Sequence, residues 1–555
     1  MVRLWHYLAK DLRRLRLLVA LWALVVAAET ILAGSGAAAR VEDLRLQEAL
    51  QILASLLSLL KLMLACLIVP LLIQEDGLVG TEAFWLTRPI PRGTLLLSKL
   101  SFVGAFMIVP ALVAELALMA ASGVTMRHLL LASPEILLKE IDWFLFLAVL
   151  ASLTPNFARF ALVGAGLLAA LVLLGLTLAL VFSSEEVRAE IPVPVPVSSP
   201  VVVALLLIIA VSLWVLAHQY RTRKTWRSAA LALAGGFLVL LLSDYWPWPF
   251  LKAEEPRLET RLDPQAVRLT ADIGKTWVSD MFSTRRKRRA RKNVAARLQV
   301  QGLPAAYAAT PVAIRPRLEF ADGSAAQEVG DLLLPVPPDV DPSEPLEFSA
   351  LRQALGRLRL HYDERFRPSM WPVFVTVDDE FFARHGKEPG EYSADFVFRV
   401  DRYQVVCRLP LRPGARYDNG SEHVMVTDVL RQSEGCTVIL RESNVNVLLE
   451  PRMRPTTRYL FVNPGANEAA LAREFPLQAS ALHAGLWDMT MEPGTARLMI
   501  RYLELRFPEE RLARKELPPI NESWLSQGQL VRIDALYAGR FSKPLRVPGF
   551  RMDTR

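Results

Sequence analysis

Residues 76–92 read DGLVGTEAFWLTRPIPR and sit between two long apolar runs, 51–73 and 99–121. A plain connector between two membrane spans can be short and polar. This one carries glycines for turns at Gly77 and Gly80, then an aromatic pair, Phe84 and Trp85. Arg88, Pro89, Pro91 and Arg92 follow. Thr81 to Thr87 has room for a short amphipathic helix, and the prolines after Arg88 end it and stiffen the return to the apolar phase. Two physical readings fit. Aromatics beside arginine are enriched at the hot spots of protein interfaces. The same residues also anchor loops in a headgroup layer, with arginines snorkelling to phosphates.

Outward from this loop the chain divides into two halves. Of its 555 residues 52% are apolar, and the mean hydropathy is +0.27. The long apolar runs fall almost entirely in the first ~250 residues, which reads as a membrane half followed by a water-soluble half. A span needs roughly 20 apolar residues. Seven segments qualify as candidates: about 17–34, 51–73, 99–121, 138–155, 159–182, 200–218 and 228–245. The fourth is the weakest, because Glu140 and Asp142 shorten it, and it could instead be re-entrant or interfacial. The first run could be taken for a signal peptide, but it is long for one and further spans follow.

Lys and Arg in the short loops set the expected orientation. Arg3, Lys10, Arg13, Arg14, Arg16, Arg88, Arg92, Lys99, Arg159, Arg221, Arg223, Lys224 and Arg227 would lie on one side, against Arg40, Arg45, Arg127, Lys139 and Arg188 on the other. The N-terminus is therefore expected inside, and seven spans put everything after residue 245 outside. Leu4, Leu8, Leu12 and Leu15 share one helical face opposite Lys10, Arg13 and Arg14. Residues 1–16 thus read either as an amphipathic helix lying in the interface or as the solvated start of the first span.

Lys61 and Glu115 place ionisable groups inside the second and third spans. A charge in hydrocarbon costs at least ~2.5–3.5 kcal/mol on insertion scales, so each should face protein or water. The two spans run antiparallel, and the residues differ in depth by roughly 6 Å at about 1.5 Å per residue. An ion pair between them is the structural expectation, and a place in a transport path the other.

The second half, 251–555, alternates with period two. Strands are expected at 296–301, 312–320, 373–377, 396–411, 437–449, 459–462, 496–505 and 530–537, with helices near 347–358 and 378–386. This reads as a β-rich domain of one or two sandwiches. The basic run Arg285–Lys292 reads as a solvated loop or as a contact for anionic lipid. Cys407 and Cys436 would form a disulfide in an oxidising compartment, or else remain two buried thiols. The net charge of +8 comes with no zinc-finger, RNP-like or basic-helix pattern, so nucleic-acid binding is not indicated. No HExxH or GxSxG motif occurs, His361, His385, His423 and His483 are scattered, and no cofactor or metal site is indicated. Gly274-Lys275-Thr276 resembles the end of a phosphate-binding loop, but Leu269 replaces its first glycine.

The segment EDGLVGTEAFWLTRPIPRGTLLLSK, residues 75–99, resembles the loop after the second span of bacterial ABC-2-type transporter permeases. PEILLKE (134–140) and LASLTPNFARF (150–160) are similar to the same group, and the likeness covers about residues 1–220. The resemblance implies a helical membrane bundle in the cytoplasmic membrane, formed as a homodimer or heterodimer and served by a separate ATPase subunit. It implies that Phe84 and Trp85 anchor in a groove of that ATPase, that Arg88 and Arg92 meet acceptors there, and that Gly77 and Gly80 allow the turn. Asp76 or Thr81 would cap the short helix. The chain departs from the group's usual six spans by a seventh, and by its large C-terminal domain. A membrane-anchored β-rich sensor or interaction protein is the alternative reading.

Overall fold

The computed structural model describes the chain except residues 1, 36–43, 76–90, 183–197, 245–257, 282–290, 330–331, 337–345, 362–368, 421, 433–434, 445–454, 478–497, 507–521 and 555. Each apolar run of the first half is helical. The helices are α1 (Val2–Ser35), α2 (Leu44–Gln74), α3 (Arg92–Val103), α4 (Val109–Ala121), α5 (Met126–Leu153), α6 (Phe157–Phe182), α7 (Ser198–Thr222) and α8 (Thr225–Asp244). A π turn, Gly104–Ile108, joins α3 to α4. It precedes Pro110, which has no N–H to give and whose ring crowds the carbonyl one turn back, so the helix widens there instead of breaking.

Seven spans were expected. Among the described residues four stretches are long and apolar enough to cross a membrane: Trp5–Gly34, Ile52–Gln74, Gly93–Ala121 and Val203–Thr222. The helix α5 falls short on charge, since Arg127, Glu135, Lys139, Glu140 and Asp142 lie along it. Residues 2–35 form one continuous helix, so the basic start is the first turns of α1 and not a separate interfacial helix. The reason is packing. Leu15 is buried in the bundle core, and Leu8 and Leu12 lie against it. That core gathers Trp22, Ile68, Val69, Leu72, Phe102 and Met107 from α1, α2 and the π-jointed helix.

The eight runs read as strands all fall in or overlap observed strands, and α9 (Leu346–Leu355) and α10 (Asp379–His385) match the two expected helices. Among the described residues the strands make three sheets. A seven-stranded sheet is built on β8 (Gly390–Pro410) and β16 (Gln529–Phe550), which pair antiparallel along almost their whole length. A four-stranded sheet contains β2 (Arg291–Gln301) and β7 (Ser369–Asp378). A five-stranded sheet contains β9 (Arg416–Asp418), β10 (Glu422–Gln432), β11 (Gly435–Asn444) and β15 (Leu498–Arg506).

The domain is a double sandwich. The four-stranded sheet supplies Val294, Leu298 and Phe374 to a core completed by Tyr392, Phe396, Phe541 and Phe550 of the long sheet. Phe374 stacks on Phe550 at 5.6 Å and meets Tyr392 at 4.8 Å. Such pairs contribute about 0.5–1.5 kcal/mol each beyond their buried area. The five-stranded sheet makes a second core with Val426, Val438 and Leu503 against Cys407, Leu409, Tyr459 and Leu530. Side-chain alternation, followed through the register shifts at Arg532/Ile533 and Tyr537/Gly539, puts both cores on one face of the long sheet. The helix α9 covers the other face, with Phe348 and Leu351 against Val531 and Ile533.

Candidate functional site

The sequence motif between α2 and α3 is the natural starting point. Asp76, Gly77, Gly80, Thr81, Phe84, Trp85, Arg88 and Pro89 lie outside the described residues. Its last two residues and the residue before it are described. Pro91, extended at φ −61° and ψ 125°, precedes α3, and its carbonyl accepts from Thr94 and Leu95 N–H at 3.0 and 3.2 Å. Arg92 is the first residue of α3. At the other end, Glu75 follows directly on α2.

Glu75 belongs to an ionic cluster that joins three helices. Arg14 Nη1 lies 2.6 Å from Glu75 Oε2, and Lys10 Nζ lies 3.2 Å from Oε1. Lys99 of α3 stands 3.9 Å from Glu75 and donates to Asp11 Oδ2 of α1 at 3.0 Å. Lys99 and Asp11 are each only 3% exposed. Burial alone would raise the Glu75 carboxyl, but Lys99, Lys10 and Arg14 outweigh it and hold the group below the usual carboxylate range. A buried lysine and carboxylate are tolerable at this spot because each has the other as partner.

The polar layer continues across the bundle at this end. Gln74 Nε2 donates to Thr154 Oγ1 at 3.0 Å, tying α2 to the foot of α5. Gln219 of α7 is fully buried and donates to Ser152 O at 3.2 Å and to Thr225 Oγ1 at 3.4 Å. Glu75 and Lys99, on either side of residues 76–90, are thus both tied by ion pairs to α1.

Deeper in the bundle, Lys61 does not take Glu115 as its partner. Its Nζ lies 2.9 Å from Glu29 Oε2 on α1, and Ser58 Oγ donates to Glu29 Oε1 at 2.6 Å. The lysine contact is an ion pair and not a well-aligned hydrogen bond. Glu115 is buried on α4. The disulfide alternative is also not realised. Cys407 on β8 and Cys436 on β11 are separate free thiols that enter the second core from different sheets, where burial pushes each up to about 11. Thr276 of the Gly-Lys-Thr sequence is buried in a strand and donates to Met552 O at 3.0 Å, which leaves no phosphate cradle there. Of the basic run, Arg285–Ala290 lies outside the described residues, while Arg291 and Lys292 begin β2 and pair with Glu328 and Asp280, each at 2.8 Å.

The sequence reading missed Asp11, Glu29 and Glu75. Asp11 is the lone acid in a basic stretch, and Glu29 the lone charge late in the first apolar run, so both carried a legible signal. The β domain meets the bundle at the end opposite the loop, through the last turn of α1 and the corner between α4 and α5. No protein-family model, curated protein or solved structure matches the chain.

Proposed function

We propose that the chain is the membrane subunit of an ABC-type transporter. In this reading it couples ATP hydrolysis by a separate subunit to outward movement of an unidentified substrate across the cytoplasmic membrane. The loop-bearing end faces the cytoplasm, the β domain lies outside, and a second permease, identical or related, completes the pore. The observation that carries the reading is the 76–92 motif placed between α2 and α3, with Glu75 at its edge bound into the α1 and α3 ion pairs. Phe84 and Trp85 seat in the ATPase, Arg88 and Arg92 meet acceptors beside them, and nucleotide-driven motion of the loop pulls on Glu75 and on the first turn of α3. The helices α2 and α3 then tilt against α1, which is a form of alternating access.

The test is affinity purification of the tagged full-length protein in mild detergent. A Walker-A ATPase is expected to co-purify in a nucleotide-sensitive way, and Trp85→Ala with Arg88→Ala to abolish its capture. Undiminished capture by that variant removes the loop's role. The absence of any ATPase, in detergent and in nanodiscs, favours the alternative of a membrane-anchored sensor, for which the seating of the β domain on helix ends is the supporting observation.

A further inference from the structure

The last carbonyls of a helix have no partner within the helix and carry its negative end. At the far end of this bundle the β domain supplies those partners. Arg441 of β11 donates through Nη2 to Gly34 O in the final turn of α1. Ser443, two residues on, donates to Ser122 O at the end of α4, at 3.4 Å. The helix α4 closes in a Schellman turn, with Gly123 N–H on Ala120 O at 3.0 Å and Val124 N–H on Met119 O at 3.1 Å.

The corner that follows interlocks with the turn between β9 and β10. Gly123, at φ +89°, lies under His423, so that a Cβ there would stand 2.6–2.8 Å from the ring. In return a Cβ on Gly420 would stand 3.3 Å from His128 Cε1, and Thr125 Oγ1 donates to Gly420 O at 3.4 Å. One hairpin and its neighbour thus hold α1 and the α4–α5 corner at once. Among the described residues, no hydrophobic core contains side chains of both the bundle and the domain. Two of the hydrogen bonds just named are long, at 3.4 Å, and among the described residues the contact lacks the shared apolar core of a permanent domain interface.

We propose that the β9–β10–β11 segment is a detachable clamp. While seated, it holds the far end of α1 to the α4–α5 corner, and that end of the bundle opens only when the domain lifts. The clamp is independent of what drives the bundle, so it stands or falls apart from the ATPase reading.

The test uses the full-length protein in lipid nanodiscs with Cys66→Ala, Ser122→Cys and Ser443→Cys. Mild oxidation is expected to cross-link most of the protein. Amide exchange in residues 122–128 and 422–426 should then slow at least about ten-fold relative to the reduced form, because the open state is removed. No cross-link in folded protein overturns the seating. A cross-link that leaves exchange unchanged overturns detachment. Gly123→Ala is expected to speed exchange in 422–426, and adding His423→Ala to restore it by making room for the methyl. Faster exchange that His423→Ala fails to reverse reports backbone strain at the turn and counts against the interlock.

Discussion

Lys61 on the second helix is paired with Glu29 on the first, at 2.9 Å and with only 14% and 4% of the side chains exposed. Removing one partner of a buried pair strands the other, at a typical cost of about 3–5 kcal/mol, whereas replacing both with apolar residues is often close to neutral. Lys61→Met alone is expected to lower the thermal midpoint sharply, and Lys61→Met with Glu29→Leu to recover most of the loss. A double-mutant cycle between Lys61 and Glu115 should be additive. Tryptophan-monitored unfolding in detergent reads all of these, and coupling to Glu115 instead of Glu29 would contradict the assignment.

Glu75 gives the loop-bearing end a defined acid sensitivity. Its carboxyl is held below the usual carboxylate range, so its stabilising contribution is complete at neutral pH and is lost as pH falls through that lowered value. The difference in thermal midpoint between wild type and Glu75→Gln should stay constant from about pH 8 to pH 5 and shrink below about pH 4, around and under the ordinary carboxylate value. A difference that grows on acidification would contradict it.

Arg532 is the electrostatic centre of the second sandwich. Its Nε and Nη2 bond the two oxygens of Asp534 at 3.0 Å each, and Nη2 also lies 2.7 Å from Glu422. Burial works against the charge, but the surrounding acids win and hold the guanidinium firmly protonated. Arg532→Met leaves the buried carboxylate of Asp534 and the half-buried one of Glu422 without their cation and should cost about 3–5 kcal/mol. Arg532→Lys keeps the charge but loses the fork that matches Asp534, and should fall between the two. Equal loss in the methionine and lysine variants would show that the charge alone contributes nothing, and a lysine variant as stable as wild type that the fork does not matter.

The two β-domain thiols should be silent in the folded protein. With each pushed up to about 11, the thiolate is about a thousandth of the population at pH 8, and both sulfurs are buried. In a Cys66→Ala background, maleimide should add nothing to the native protein and two equivalents after unfolding without reductant. Labelling that needs reductant first would reveal a bond between Cys407 and Cys436.

Much of the β half was legible because core strands such as 396–400 alternate cleanly, with Phe396, Phe398 and Val400 buried and the residues between them less so. What escaped was structure in which alternation is interrupted. β1 (Arg268–Met281) breaks register between Asp272 and Thr276, and β10 does so between Val426 and Asp428. β16 runs well past residue 537 through a shift at Gly539 and through Pro544. Bulges shift the period that a sequence reading depends on. In the bundle, hydropathy located the helices but not their neighbours. Lys61 was legible as a charge needing a partner, yet depth alone could not choose Glu29 over Glu115, because that choice depends on which helices touch.

β8 spans 21 residues and β16 spans 22, and both pass unbroken from one sandwich into the other. At about 3.3 Å per residue this is a hydrogen-bonded beam roughly 65 Å long. Neither sandwich can tilt without the other, so the domain has the mechanics of an oar. The clamped turns form the rowlock, and a small rotation at the membrane becomes a wide sweep of the far sandwich.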